Sequence, residues 1–191
     1  HWHCLILCDA CAAGKDVYVE KPIANSIEEA DLMVKATRKH ERIVQVGQWQ
    51  RSDWHWQDAL KELHSGSIGK IRQVKAWADV NYGRNFDVVP DSTPPQGVDY
   101  DRWLGPAPKR PFNKNRFHGT FRYFWDYAGG LMTDWGVHEI DIALFFMGVT
   151  APKSVIASGG IGSLGGGVAG STLRAIASNS SRENSAFTPE R

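Results

Sequence analysis

The strongest constraint on the fold is a pair of short apolar runs, Asp16-Val17-Tyr18-Val19-Glu20 and Arg42 to Gly47, each preceded by a helical pattern. Runs this short, rich in β-branched residues and bounded by turn signals, predict buried parallel strands. His3 to Ala13 predicts a helix, with Gly14 just past its end. Ser26 opens a second helix, with Glu29 three residues on as a capping box and Ala30, Met33, Val34 and Thr37 at helical spacing. Asp53 to Ser65 follows as a third helix with Trp56, Leu60 and Leu63 inward. Gly66 and Gly69 then mark a turn, and Ile71 to Val80 alternates like a strand. Helix–strand–helix–strand–helix with short connections is the rhythm of a doubly wound α/β sheet.

Past that point the pattern changes. Asn81 to Phe121 is a proline-rich stretch that predicts a long ordered loop, because Tyr100, Trp103, Phe112 and Phe117 can anchor it. A helix is expected from Thr133 to Met147, ended by Gly148, and one more strand from Pro152 to Ser158. Beyond it lie Gly159, Gly160, Gly162 and Gly165 to Gly167, then a Ser/Asn/Arg/Glu tail with almost no apolar periodicity. Three regions are therefore expected: 1–50, 51–160, and a disordered or out-of-family tail over 161–191.

The formal net charge of +1 gives no electrostatic reason to expect nucleic acid or an anionic membrane as partner. No apolar run approaches the ~20 residues that span a bilayer, and the default location is cytoplasmic. The three cysteines all fall between Cys4 and Cys11. Their C-x3-C-x2-C spacing coincides with the cluster signature of radical S-adenosylmethionine enzymes, and three thiolates can hold three irons of a four-iron cluster. The same spacing puts Cys4, Cys8 and Cys11 at i, i+4 and i+7 on the buried face of a helix. A helix ending at Gly14 predicts the second arrangement, since a cluster needs a loop, so no metal is expected.

Two segments carry chemistry. Glu20-Lys21-Pro22 lies at the carboxyl end of a predicted buried strand, where ligands of open α/β sheets bind. A lysine there can hydrogen-bond a substrate hydroxyl and lower its pKa; otherwise Lys21 merely starts a surface loop. The second segment is Gly129-Gly130-Leu131-Met132-Thr133-Asp134-Trp135-Gly136-Val137-His138-Glu139-Ile140-Asp141. On one helix, Asp134, His138 and Asp141 share a face, while Trp135, Val137, Ile140 and Phe145 are apolar. A polar stripe on a mostly buried helix is costly unless it lines a cavity or is fully hydrogen-bonded. The stripe suits acid–base work by an Asp–His pair, or a divalent metal, or simply a buried, satisfied histidine.

DVYVEKP, then IVQVGQWQR, then GGLMTDWGVHEIDIALFFMG together resemble the Gfo/Idh/MocA family of glucose–fructose oxidoreductases and inositol dehydrogenases. The resemblance covers roughly His1 to Gly160. It implies the C-terminal part of a Rossmann-type doubly wound parallel sheet, followed by the start of an α+β domain with an open, mainly antiparallel sheet. It places Lys21, Asp134 and His138 in the substrate pocket as catalytic residues. It also implies contacts to NAD or NADP from His3, Glu20, Lys21 and Gln48, and to substrate from Arg51. The implied reaction is hydride transfer between nicotinamide and a carbinol carbon of a small-molecule sugar or polyol, in a homo-oligomer when full-length. His138 would take the hydroxyl proton, Lys21 would stabilise the alkoxide, and Asp134 would orient His138 or bind a neighbouring hydroxyl. The alternatives are a nicotinamide-dependent glycosidase on the same scaffold and a non-catalytic sugar-binding or regulatory protein.

In this family the glycine-rich phosphate loop would precede His1 and the second sheet would continue past Gly160, so the resemblance implies a piece of a longer chain. The run Gly159 to Gly167 holds a G-x-G-x-x-G at Gly160, Gly162 and Gly165, but without the strand–helix context of a dinucleotide site; the backbone N–H groups at the start of such a helix are what cradle a pyrophosphate. The 191-residue chain alone is therefore expected to show no dehydrogenase activity. Micromolar binding of NAD or NADP in calorimetry would refute this.

Overall fold

The computed structural model describes residues 1–78 and 87–158, and the backbone of 173–178. Val80 at the end of the expected third strand, the start of the long loop, the Gly159–Gly167 run and most of the tail lie outside the described residues.

The N-terminal part alternates helix and strand as expected. Helix α1 (His3–Ala12) leads to β1 (Val17–Val19), and α2 (Ile27–Lys39) leads to β2 (Val44–Val46). β1 and β2 pair in parallel, with Val17 opposite Val44 and Val19 opposite Val46. Ser26 caps α2 by accepting from the Glu29 N–H at 3.2 Å. The Glu29 carboxylate reaches back one residue further than the usual box, to the Asn25 N–H at 2.7 Å. Glu28 and Glu29 in the first turn and Arg38 and Lys39 in the last both oppose the helix dipole favourably. Cys4, Leu7 and Cys11 of α1 are buried against Val19 and Met33, with Cys8 packed at the edge of the same core. The cysteines are thus on a helix, on its inner side. Burial and the adjacent Cys8 thiol push the Cys4 thiol up to about 11.

After β2 a 3-10 turn (Trp49–Ser52) leads into α3 (Trp54–His64). Trp56, Leu60 and Leu63 of α3 are half-buried rather than core; Trp56 packs on Phe146 with ring centroids 5.7 Å apart. Strand β3 (Gln73–Ala78) begins the second sheet. From residue 87 on, the described part of the following loop is ordered by aromatic packing. Within it, α4 (Tyr100–Leu104) stacks Tyr100 on Trp103 at 5.8 Å, and Phe112 and Phe117 are buried beside them. Leu104, Ala107 and Tyr127 form the centre of a second core. Among the described residues, no helix is long and apolar enough to cross a membrane.

Two expectations need correction. The single helix over Thr133 to Met147 is two helices, α5 (Leu131–Asp134) and α6 (Gly136–Met147). The ladder opens because the Asp134 carbonyl accepts from the Lys21 ammonium at 2.7 Å, while the His138 N–H turns to the Trp135 carbonyl at 3.0 Å. Gly130 starts α5 at φ 67° and ψ −151°, a conformation open only to glycine. The second correction concerns the tail. Strand β4 (Ser154–Ser158) forms as expected, but 173–178 also forms a strand, β5 (Leu173–Ser178). It lies between β3 and β4 and pairs antiparallel with both. Long-range pairing on both sides, rather than local periodicity, orders this alanine-containing run.

Candidate active site

Lys21 stands just past β1 and reaches across to the second domain. Its ammonium donates to the Asp134 carbonyl at 2.7 Å and to Asp134 Oδ1 at 2.9 Å, a contact between residues 113 apart in sequence. The other carboxylate oxygen, Oδ2, accepts from Arg122 Nη1 at 3.2 Å. The Lys21 and Asp134 side chains are only 17% and 15% exposed, so this pair is far from a surface ion pair. An ammonium has three donors, and one remains free after these two bonds.

The pair forms part of the wall of a cavity of about 430 Å³ between the two parts of the chain, with His3, Glu20, Arg122 and Thr133 also on it. His3 Nδ1 lies 2.8 Å from the Pro22 carbonyl. A carbonyl only accepts, so Nδ1 carries the proton of that bond. The Glu20 carboxyl lies against Gly47, where a Cβ would come within 2.9 Å of Glu20 Oε2, so a larger residue there would push this carboxyl aside.

His138 sits in the first turn of α6, outside the set lining that cavity. Its ring is held edge-on to Trp49, with centroids 6.4 Å apart and planes at 71°. Nδ1 is buried without a hydrogen-bond partner. Burial, and then the Lys21 charge, hold its pKa below the ordinary histidine value, against the opposing pull of Asp134, Asp141 and Glu20. The imidazole is therefore neutral at pH 7 and able to accept a proton. The sign of the stability effect follows. The unfolded chain binds the proton more tightly, so this contribution is complete above about pH 6.5 and is lost as pH falls through that value toward the folded pKa. Urea unfolding of wild type and His138→Gln across this range is expected to give a difference in stability that shrinks on acidification. A difference independent of pH would show that the imidazole is not held neutral.

The remaining expected residues divide. The Asp134 carboxylate is engaged by Lys21 and Arg122 rather than by His138. Arg51 gives Nε and Nη2 to the two oxygens of Asp141, each at 2.8 Å, and lies 5.1 Å from the Phe145 ring centroid. That pairing satisfies the third member of the polar stripe and ties the turn after β2 to α6. Gln48 directs a buried, unpartnered Oε1 beside Trp49. No cluster of three or more His, Cys, Asp or Glu among the described residues is placed to hold a metal ion. Sequence reasoning missed Arg122 and Trp49. Arg122 is one cation in an aromatic-rich run, and Trp49 belongs to no periodic pattern; only the fold brings them to Asp134 and His138.

The fold and site define a class: the end of a dinucleotide-binding α/β unit joined to an α/β domain with an open antiparallel sheet. Residues 1–48 match the NAD-binding Rossmann fold of the Gfo/Idh/MocA oxidoreductase family, and residues 75–159 match its C-terminal alpha/beta domain. The chain belongs to this family. It is 27% identical over 139 residues to scyllo-inositol 2-dehydrogenase (NAD(+)) of Bacillus subtilis, covering 73% of this chain and 30% of that protein. To the inositol 2-dehydrogenase of Gluconacetobacter diazotrophicus it is 33% identical over 106 residues, covering 53% of this chain and 32% of that one. The aldose-aldose oxidoreductase of Caulobacter crescentus shares the fold, with a TM-score of 0.61 at 20% identity, covering 93% of this chain and 47% of that structure. The chain spans about a third of the length of the curated relatives it matches.

Proposed function

We propose that the protein bearing this chain is an NAD(P)-dependent oxidoreductase that interconverts a secondary alcohol and a ketone on a sugar or polyol, with inositols as the first substrates to try. The observation that carries this reading is the Lys21–Asp134 contact. It fixes an ammonium with one free donor at the mouth of the parallel sheet, near a histidine kept neutral. The inositol 2-dehydrogenase relatives support the polyol class.

The residues present fit the nicotinamide half of the cofactor. His3, its Nδ1 held by the Pro22 carbonyl, and the Glu20 carboxyl, lying against Gly47, both stand on the cavity wall. When bound, the nicotinamide supplies or accepts the hydride. The free N–H of Lys21 donates to the substrate oxygen and stabilises negative charge as it develops there. His138, neutral and half-buried, accepts the hydroxyl proton during oxidation and returns it during reduction. Asp134 holds Lys21 in place. Lys21, Asp134 and His138 thus act as one unit spanning both domains.

The test uses a protein in which these residues follow a complete dinucleotide-binding domain. Incubation with inositols and aldoses is expected to produce reduced cofactor and ketone in equal amounts. Release of an aglycone from a glycoside without net cofactor turnover would point instead to a glycosidase. Sugar binding with no turnover of either kind would point to a binding protein.

A further inference from the structure

We propose that Arg122 is a positioning residue for this reaction, fixing the Asp134 carboxylate so that it serves as the anchor of Lys21 and not as a proton acceptor. The proposal rests on the oxidoreductase reading of the site. Its evidence is geometric. Each oxygen of the carboxylate is taken by a different cation, Oδ1 by Lys21 at 2.9 Å and Oδ2 by Arg122 at 3.2 Å. The Asp134 carbonyl is taken as well, at 2.7 Å, by the same ammonium. Arg122 therefore blocks the rotation that would bring Oδ2 to Lys21 or release it to substrate. The guanidinium stands on the cavity wall, with its side chain a third exposed at 33%, against 15% for Asp134. It comes from the 3-10 segment His118–Tyr123, an element separate from both motifs, so the site is assembled from three stretches of chain.

Two cations share this carboxylate, and on the neighbouring imidazole the Lys21 charge opposes the carboxylates of Asp134, Asp141 and Glu20. Loss of Arg122 removes one of the two cations and frees Oδ2. A carboxylate so released pulls His138 toward its protonated form and lets the Lys21 ammonium wander from the substrate oxygen. Arg122 thus acts on catalysis through Asp134, without touching the reacting atoms itself.

The test compares Arg122→Gln and Arg122→Lys with wild type by two measurements. The first is the NMR titration of the His138 imidazole in the 191-residue chain; the second is steady-state kinetics in the intact oxidoreductase. Arg122→Gln is expected to raise the His138 midpoint and to lower kcat about tenfold to a hundredfold with little change in KM. Arg122→Lys, which keeps one donor and the charge, is expected to restore both. Wild-type titration and kcat in Arg122→Gln would overturn the proposal. Equal losses in both variants with an unmoved titration would also overturn it, since packing alone would then be at issue. Should Arg122→Gln fail to fold, Arg122→Lys decides: folded with near wild-type kcat it supports the proposal, and folded but impaired it overturns it. Failure of both to fold assigns Arg122 to folding alone and overturns it too. His138→Gln serves as the control on the underlying reading. If it is as active as wild type, the oxidoreductase assignment of the site fails, whatever Arg122 does.

Discussion

Replacing Lys21 with methionine is expected to lower kcat of the intact oxidoreductase by about 10²–10³-fold, the usual cost of deleting one preorganised donor to a developing oxyanion. Methionine is similar in length and apolar, so it occupies the same space and leaves the path between β1 and α5 filled. What it removes is the charge, the bonds to Asp134 and the single free N–H. The effect on KM is expected to be small, because the donor matters most when negative charge has developed on the substrate oxygen. The same change removes the cation that lowers the His138 pKa, so the acid limb of the rate profile of the residual activity should move upward. Circular dichroism confirms that the variant is folded. Retention of more than about a tenth of wild-type kcat would take Lys21 out of the machinery.

The largest stability effect is expected at Asp134. Removing one partner of a buried pair costs about 3–5 kcal/mol, because the remaining charge is left uncompensated. Here the pair is partly exposed, at 17% and 15%, which places the expected loss for Asp134→Ala nearer about 2–3 kcal/mol. Two cations, Lys21 and Arg122, would then face each other without an anion between them. Asp134→Asn keeps an oxygen for Lys21 but no charge, and its loss should be smaller. Urea unfolding of the 191-residue chain measures both. Equal midpoints for wild type and Asp134→Ala would mean that the two domains are held together elsewhere.

The parallel pair β1–β2 and helices α1 to α3 were legible because each carries its own local signal: β-branched runs, a serine cap, a glycine stop. The helix break at Trp135 carried none. It exists because a lysine 113 residues earlier takes the carbonyl that His138 would have used, and no window along the chain contains both. Strand β5 was missed for the same kind of reason. Leu173 to Ser178 has too little periodicity to declare itself, and its order comes from β3 on one side and β4 on the other. Within the candidate site, the two motifs and the resemblance pointed to Lys21, Asp134 and His138, and the structure brings Lys21 and Asp134 into contact. That both oxygens of the Asp134 carboxylate meet cations, one of them Arg122, could not be read from spacing. Arg51 was expected at the substrate, and its pairing with Asp141 of the same stripe, 90 residues on, could not be read from spacing.

The Asp134 carbonyl, released by the helix ladder and taken by Lys21, ties the seam between the two parts of the chain to the electrostatics of His138. One ammonium both fastens the end of α5 to the end of β1 and lowers the proton affinity of the imidazole, after burial. A substitution that weakens the fastening therefore also changes the base, and the two effects cannot be separated by altering Lys21 alone.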